Sequence, residues 1–194
     1  MDHWRYYLRG RVLEAFGVKA AAVTAYLEAL DALPGFARAA ARAAYLLASE
    51  QRYAEAEKLF RNALQAEPDN AATHFNLGFA LDKQGRHEEA VAALREAARL
   101  RPGLDRAWYG LGMAQAALGR HAEAAVALHE AATLQPMNPH AWYALGMAHH
   151  ALGDAARLRE VALHLVRFDP RMARRLIRES AASDLDYLVK DLVV

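Results

Sequence analysis

The sequence predicts an all-α protein built from a repeated helix pair, and three observations carry that prediction. Alanine dominates, with Leu, Arg and Glu behind it, and these are strong helix formers. Strand signals are missing: no alternating run of Val, Ile, Thr and Tyr appears, and no Asn-Gly or Asp-Gly hairpin turn. The phrase AWYGLGMA at 107–114 returns as AWYALGMA at 141–148, 34 residues later.

That spacing runs along the chain. Pro34, Pro68, Pro102, Pro136 and Pro170 are each 34 residues apart. Gly10, Gly78, Gly112 and Gly146 share a second phase, with Ala44 in the gap. Gly17, Gly85, Gly119 and Gly153 share a third, with Gln51 in the gap. Ala22, Ala56, Ala90 and Ala124 form a fourth series, and Ala29, Ala63, Ala97 and Ala131 a fifth. Five uninterrupted units follow: 3–36, 37–70, 71–104, 105–138 and 139–172.

Each phase has a physical task. A glycine inside a helix costs about 1 kcal/mol relative to alanine, which is explained if a neighbouring helix passes too close for a side chain. The glycine seven residues later stops the first helix, because it accepts the left-handed C-cap conformation. The alanine pairs mark the close-packed face of a second helix, and proline ends that helix. Each unit is therefore two antiparallel helices of roughly 12–14 residues, about 20 Å long. One pair cannot bury its apolar face alone, but stacked pairs can.

The C-terminal stretch, 173–194, reads as a capping helix and an apolar tail. Met172, Leu176 and Ile177 share one helix face, and Arg171, Arg174, Arg175 and Arg178 lie around the other. Ser183 is expected to N-cap a last short helix carrying Leu185, Leu188, Val189, Leu192 and Val193.

The composition excludes several classes of function. With 24 basic and 23 acidic side chains the net charge is +1, so nothing electrostatic argues for nucleic acid as the main partner. There is no Cys, hence no disulfide frame, thiolate metal site or cysteine nucleophile. The N-terminus lacks a signal-type apolar core, and no run approaches the roughly 18 apolar residues of a membrane helix. A cytoplasmic protein without membrane insertion is the expectation.

The repeat resembles the tetratricopeptide repeat, whose pattern is W-x2-L-G-x2-Y, then A-x3-F, then A, then P. Trp108, Leu111 and Gly112 match its first half, as do Trp142, Leu145 and Gly146. In the third unit His74 replaces the Trp, while Leu77, Gly78, Leu81, Ala90, Leu94, Ala97 and Pro102 fit. The first unit departs with Tyr6 and Arg9, the second has the alanines Ala40, Ala43 and Ala44, and the fifth has Leu158, Ala162 and Leu165. The resemblance covers 3–172 and implies a right-handed α-solenoid.

In the resembled family the first helix of each unit lines a concave groove. Carried over by position, the partner-binding residues are Tyr7 and Arg11, then Tyr45, then Phe75, Asn76, Phe79 and Lys83. The fourth unit gives Arg106, Tyr109 and Met113, and the fifth His140, Tyr143, Met147 and His150. Tyr109 and Met113 are four apart and so share a helix face; Tyr143 with Met147 and Phe75 with Phe79 repeat the pair. Such a ladder of rings and thioethers suits an apolar peptide or amphipathic helix, and the competing reading is plain packing between first helices. The family's clamp for a partner's C-terminal carboxylate is incomplete: Asn76 and Arg106 match, whereas Ala41, Tyr45 and Gly110 do not.

No catalytic, cofactor or metal site is expected. His129-Glu130 begins a zinc motif, but Thr133 stands where the second ligand belongs. Gly110-Leu-Gly112 follows no strand, and no phosphate loop or nucleophile elbow appears. The expected function is a non-enzymatic adaptor, scaffold or assembly factor that binds another protein. Three alternatives remain: self-association or autoinhibition through the C-terminal tail, capture of an acidic or nucleic-acid partner by Arg171, Arg174, Arg175 and Arg178, and a subunit of an enzyme whose catalytic part is on another chain.

Overall fold

A computed structural model describes residues 2–190 of the chain. Eleven α-helices follow one another among them: α1 Asp2–Ala15, α2 Lys19–Ala32, α3 Ala37–Ser49, α4 Tyr53–Ala66, α5 Ala71–Lys83, α6 His87–Leu100, α7 Asp105–Ala117, α8 His121–Leu134, α9 Pro139–Ala151, α10 Ala155–Val166 and α11 Pro170–Glu179. A 3₁₀ helix, Ser183–Leu188, comes last. No described residue lies in a strand. One compact unit ends at Arg101 and holds α1–α6; the other begins at Pro102 and holds the remaining helices.

The repeat phases have the structural roles their spacing implies. Gly17, Gly85, Gly119 and Gly153 each end a first helix with φ between 71° and 75°, and Gln51 takes the same left-handed conformation at 63°. The mid-helix glycines are sites of close approach. A Cβ on Gly112 would stand 2.5 Å from Leu128 Cγ and 3.1 Å from the Ala124 carbonyl oxygen. Gly10 meets Tyr26 and Gly78 meets Leu94 in the same way. The alanines of α3, which look weak in the sequence, are its buried face: Ala39, Ala40, Ala43 and Ala44 are fully enclosed.

The tryptophan position of the repeat does a specific job. Trp108 Nε1 donates to the Pro102 carbonyl and Trp142 Nε1 to that of Pro136, both at 2.8 Å. His74 meets the Pro68 carbonyl through Nε2 at the same distance, so it fulfils the Trp role with a smaller ring. Side chains also cap helix starts: Asn70, Asn138, Asp154 and Asp169 accept backbone N–H bonds at α5, α9, α10 and α11.

The fifth pair is completed from outside itself. Tyr26, Phe60, Leu94, Leu128 and Ala162 share one repeat position, and the large side chains among them are fully buried. Ala162 is too short to fill the space beside Gly146. Leu176 of α11 fills it instead, and a Cβ on Gly146 would stand 2.6 Å from Leu176 Cδ2.

The C-terminal segment differs from its sequence reading. Ser183 caps nothing: Ala182 precedes the helix and no side chain caps it. The element is a 3₁₀ helix whose Leu185, with Val189 just beyond it, is buried in the core formed with α10 and α11. Leu192 and Val193 lie outside the described residues.

Candidate peptide-binding face

In the unit ending at Arg101 the odd-numbered helices meet around a cavity of about 400 Å³. Tyr7 of α1, Arg38, Ala41 and Tyr45 of α3, and Asn76 of α5 are among its walls. Tyr7 is only 8% exposed, because its ring packs against Trp4, Tyr26 and Phe36. Beneath it the Tyr26 hydroxyl donates to Glu14 at 2.6 Å, and Arg42 donates to the other Glu14 oxygen at 3.1 Å. Burial, then this bond to Glu14, pushes the Tyr26 phenol well above its ordinary pKa. The wall that Tyr7 offers is thus rigid.

The same helices carry exposed apolar groups at the cavity wall and beyond it. Tyr45 is 52% and Phe79 42% exposed. The Lys83 ammonium lies 5.4 Å from the Phe79 ring centroid, within cation–π range. Phe75 and Asn76 are half-buried, and Arg11 is exposed.

A larger cavity of about 540 Å³ opens among α4, α5 and α6. Its charged rim is already paired: Arg61 binds Glu57 and Glu89, both at 2.9 Å, and Arg86 joins the same two carboxylates. A rim so satisfied offers little to a polar partner, so the cavity on the odd-numbered helices is the better candidate.

In the unit starting at Pro102 the expected residues divide. Met113 is 42% exposed, and Arg106, His140 and His150 are also exposed. Tyr109, Tyr143 and Met147 are half-buried and pack against the core that includes α11. Tyr143 is further engaged. Its hydroxyl bonds Glu179, and the Arg175 guanidinium sits 4.7 Å from its ring centroid. The bond from Tyr143, and then Arg175, hold the Glu179 carboxyl below its usual range.

The arginine patch is partly committed within the chain. Arg174 donates to the Val189 carbonyl at 3.2 Å, and Arg175 to Glu179 at 2.9 Å. Arg171 and Arg178 are exposed.

Sequence reasoning missed buried polar groups, Gln115 and His149 among them. His149 is 7% exposed, in a position that Leu13, Leu47 and Leu81 occupy earlier, and its Nδ1 has no hydrogen-bond partner. Burial holds this imidazole below the usual histidine range. The signal was present as a polar residue in an apolar repeat phase. Among the described residues no group of His, Cys, Asp and Glu could hold a metal ion. No described helix is long and apolar enough to cross a membrane.

Comparison with known proteins agrees with this architecture. A search of curated proteins finds no match. Among solved structures, YrrB, a TPR protein with an unusual peptide-binding site, superposes with a TM-score of 0.81 at 22% identity, covering 89% of this chain and 90% of that one. MamA superposes with a TM-score of 0.79 at 19% identity, covering 99% and 97%. Pseudomonas aeruginosa pilF gives 0.69 at 24% identity, covering 98% and 93%. At these identities the likeness is one of fold. Two tetratricopeptide repeat profiles match the sequence itself, one over residues 47–118 and 83–145 and the other over 7–71. The first alone spans more than half of the sequence, and the chain belongs to the tetratricopeptide repeat family.

Proposed function

We propose that the chain is a non-catalytic adaptor or assembly factor that holds a partner peptide or amphipathic helix against its odd-numbered helices. One observation carries this reading. Tyr45, Phe79 and Met113 occupy one repeat position, 34 residues apart, and each leaves 42% or more of its surface in solvent. Within the unit ending at Arg101, apolar groups exposed at a recurring position on α3 and α5 are what partner binding explains, and Met113 repeats that position in the other unit. Rings and thioethers there supply large, adaptable contact area. Arg11 and Lys83 in the unit ending at Arg101, and Arg106 and His140 in the unit starting at Pro102, would set register and polarity for what each unit binds. YrrB's peptide-binding site, on the same fold, supports the reading. A cysteine-free chain suits a reducing compartment, and the cytoplasm is the setting we propose.

The test is a pull-down from native lysate with wild type beside a Tyr45→Ala, Phe79→Ala, Met113→Ala triple variant. All three side chains are exposed, so the variant should keep its helical circular dichroism. A partner captured by wild type and lost in the variant supports the proposal. Partners retained equally by both overturn it.

A further inference from the structure

The ladder of rings on the odd-numbered helices has a gap. Tyr7, Ala41, Phe75, Tyr109 and Tyr143 share one repeat position, and only Ala41 lacks a ring. The cavity of about 400 Å³ lies at that gap. Its apolar surface comes from Ala37, Ala41 and the rings of Tyr7 and Tyr45. Its volume falls within the range of about 300–1,000 Å³ in which proteins enclose small ligand groups.

The polar groups at this cavity are unequally satisfied. Arg42 is paired with Glu14 at 3.1 Å, and Glu67 accepts from Asn70 at 3.1 Å. Arg38 has no carboxylate partner among the described residues; its guanidinium rests 6.0 Å from the Trp4 ring centroid. Asn76 is half-buried and makes no side-chain hydrogen bond among the described residues. The cavity thus offers an apolar slot, a guanidinium with no ion-pair partner among the described residues, with the Glu67 carboxylate elsewhere on the wall, and one amide with donors and acceptor unused.

We infer that this cavity takes an aromatic side chain of an extended partner segment, with a neighbouring carboxylate of that segment on Arg38. The inserted ring replaces the one that Ala41 omits and stacks between Tyr7 and Tyr45. The carboxylate makes a charge-assisted pair with the guanidinium, and the Asn76 amide bonds the segment's backbone. The inference rests on the peptide-binding reading above and names the chemistry of its partner.

The probe is a synthetic library of random 12-residue peptides, acetylated and amidated so that side chains carry the only carboxylates. The full chain should select peptides with Asp or Glu beside Phe, Tyr or Trp. Ala41→Phe fills the slot with a ring that four other units already carry at this position, so folding is retained. That variant should bind the selected peptides at least tenfold more weakly. Arg38→Glu should remove the preference for an acidic neighbour while sparing that for the ring. Selected peptides that need Phe79 and Met113 but are indifferent to Ala41→Phe would overturn this inference and leave the wider reading standing. Peptides indifferent to Tyr45, Phe79 and Ala41 alike, or no selection at all, would overturn both.

Discussion

The pairs α7–α8 and α9–α10 begin with almost the same words, AWYGLGMA and AWYALGMA, yet the structure finishes them differently. Beside Gly112 the space is filled by Leu128, from the second helix of the same pair. Beside Gly146 it is filled by Leu176, from α11. Tyr109 has burial as its main perturbation, whereas Tyr143 also bonds Glu179 and lies under Arg175. A repeat sequence specifies a position's geometry; what occupies the neighbouring space depends on the next element. The same phase can therefore be completed from its own pair in one case and from the cap in another.

Removing the borrowed side chain should have the largest effect. Leu176→Ala leaves a cavity beside Gly146 and should cost about 2–5 kcal/mol, read from denaturant midpoints. Ala162→Leu restores what Leu94 and Leu128 supply in earlier pairs and should recover about half of that loss. No rescue would mean that the fifth pair is built on a different geometry. Next comes Gly112→Val, which sets Cβ against both a side chain and a backbone carbonyl and should cost about 1–3 kcal/mol.

The fourth and fifth pairs also share a polar substitution, Gln115 and His149, where earlier pairs have leucine. His149→Leu removes a buried nitrogen without a partner and should gain about 1 kcal/mol. The sign of its pH dependence follows from the lowered pKa. The unfolded chain takes up the proton first, so stability is fully present above the ordinary histidine value of about 6.5 and is lost as pH falls through the lowered folded value. Asp154 opposes the shift, while Arg157 and His129 add to it. Thermal melts between neutral and mildly acidic pH should show a shallower decline for His149→Leu than for wild type; parallel declines would refute the assignment. The smallest effect is Gln51→Gly. Relief of the left-handed strain is offset by the freer unfolded chain, leaving a gain of about 0.5 kcal/mol in the same melts.

Much of the fold was legible because its punctuation repeats. Proline, glycine and tryptophan phases report contacts within a unit or with the turn just before it, so each copy confirms the others. Even Gln51, a break in the glycine series, kept the backbone conformation of that series. Contacts outside the period were not legible. Nothing in the spacing shows that Leu176 serves Ala162's place, or that Glu179 reaches Tyr143. Ser183 failed as a cap because the chain turns into a 3₁₀ helix whose anchor is Leu185. The candidate site was half legible: the positions of Tyr45, Phe79 and Met113 could be read from the repeat, whereas Ala41 reads only as a mismatch to the family's carboxylate clamp until the cavity over it is seen.

The central claim is that recognition belongs to the odd-numbered helices. Site-specific photo-crosslinking in lysate tests it most directly, with benzoylphenylalanine placed singly at Tyr45, at Phe79 and at Lys58, an exposed residue of α4. The account predicts one common partner crosslinked from Tyr45 and Phe79 and absent from Lys58. Crosslinks from Lys58 alone would contradict it.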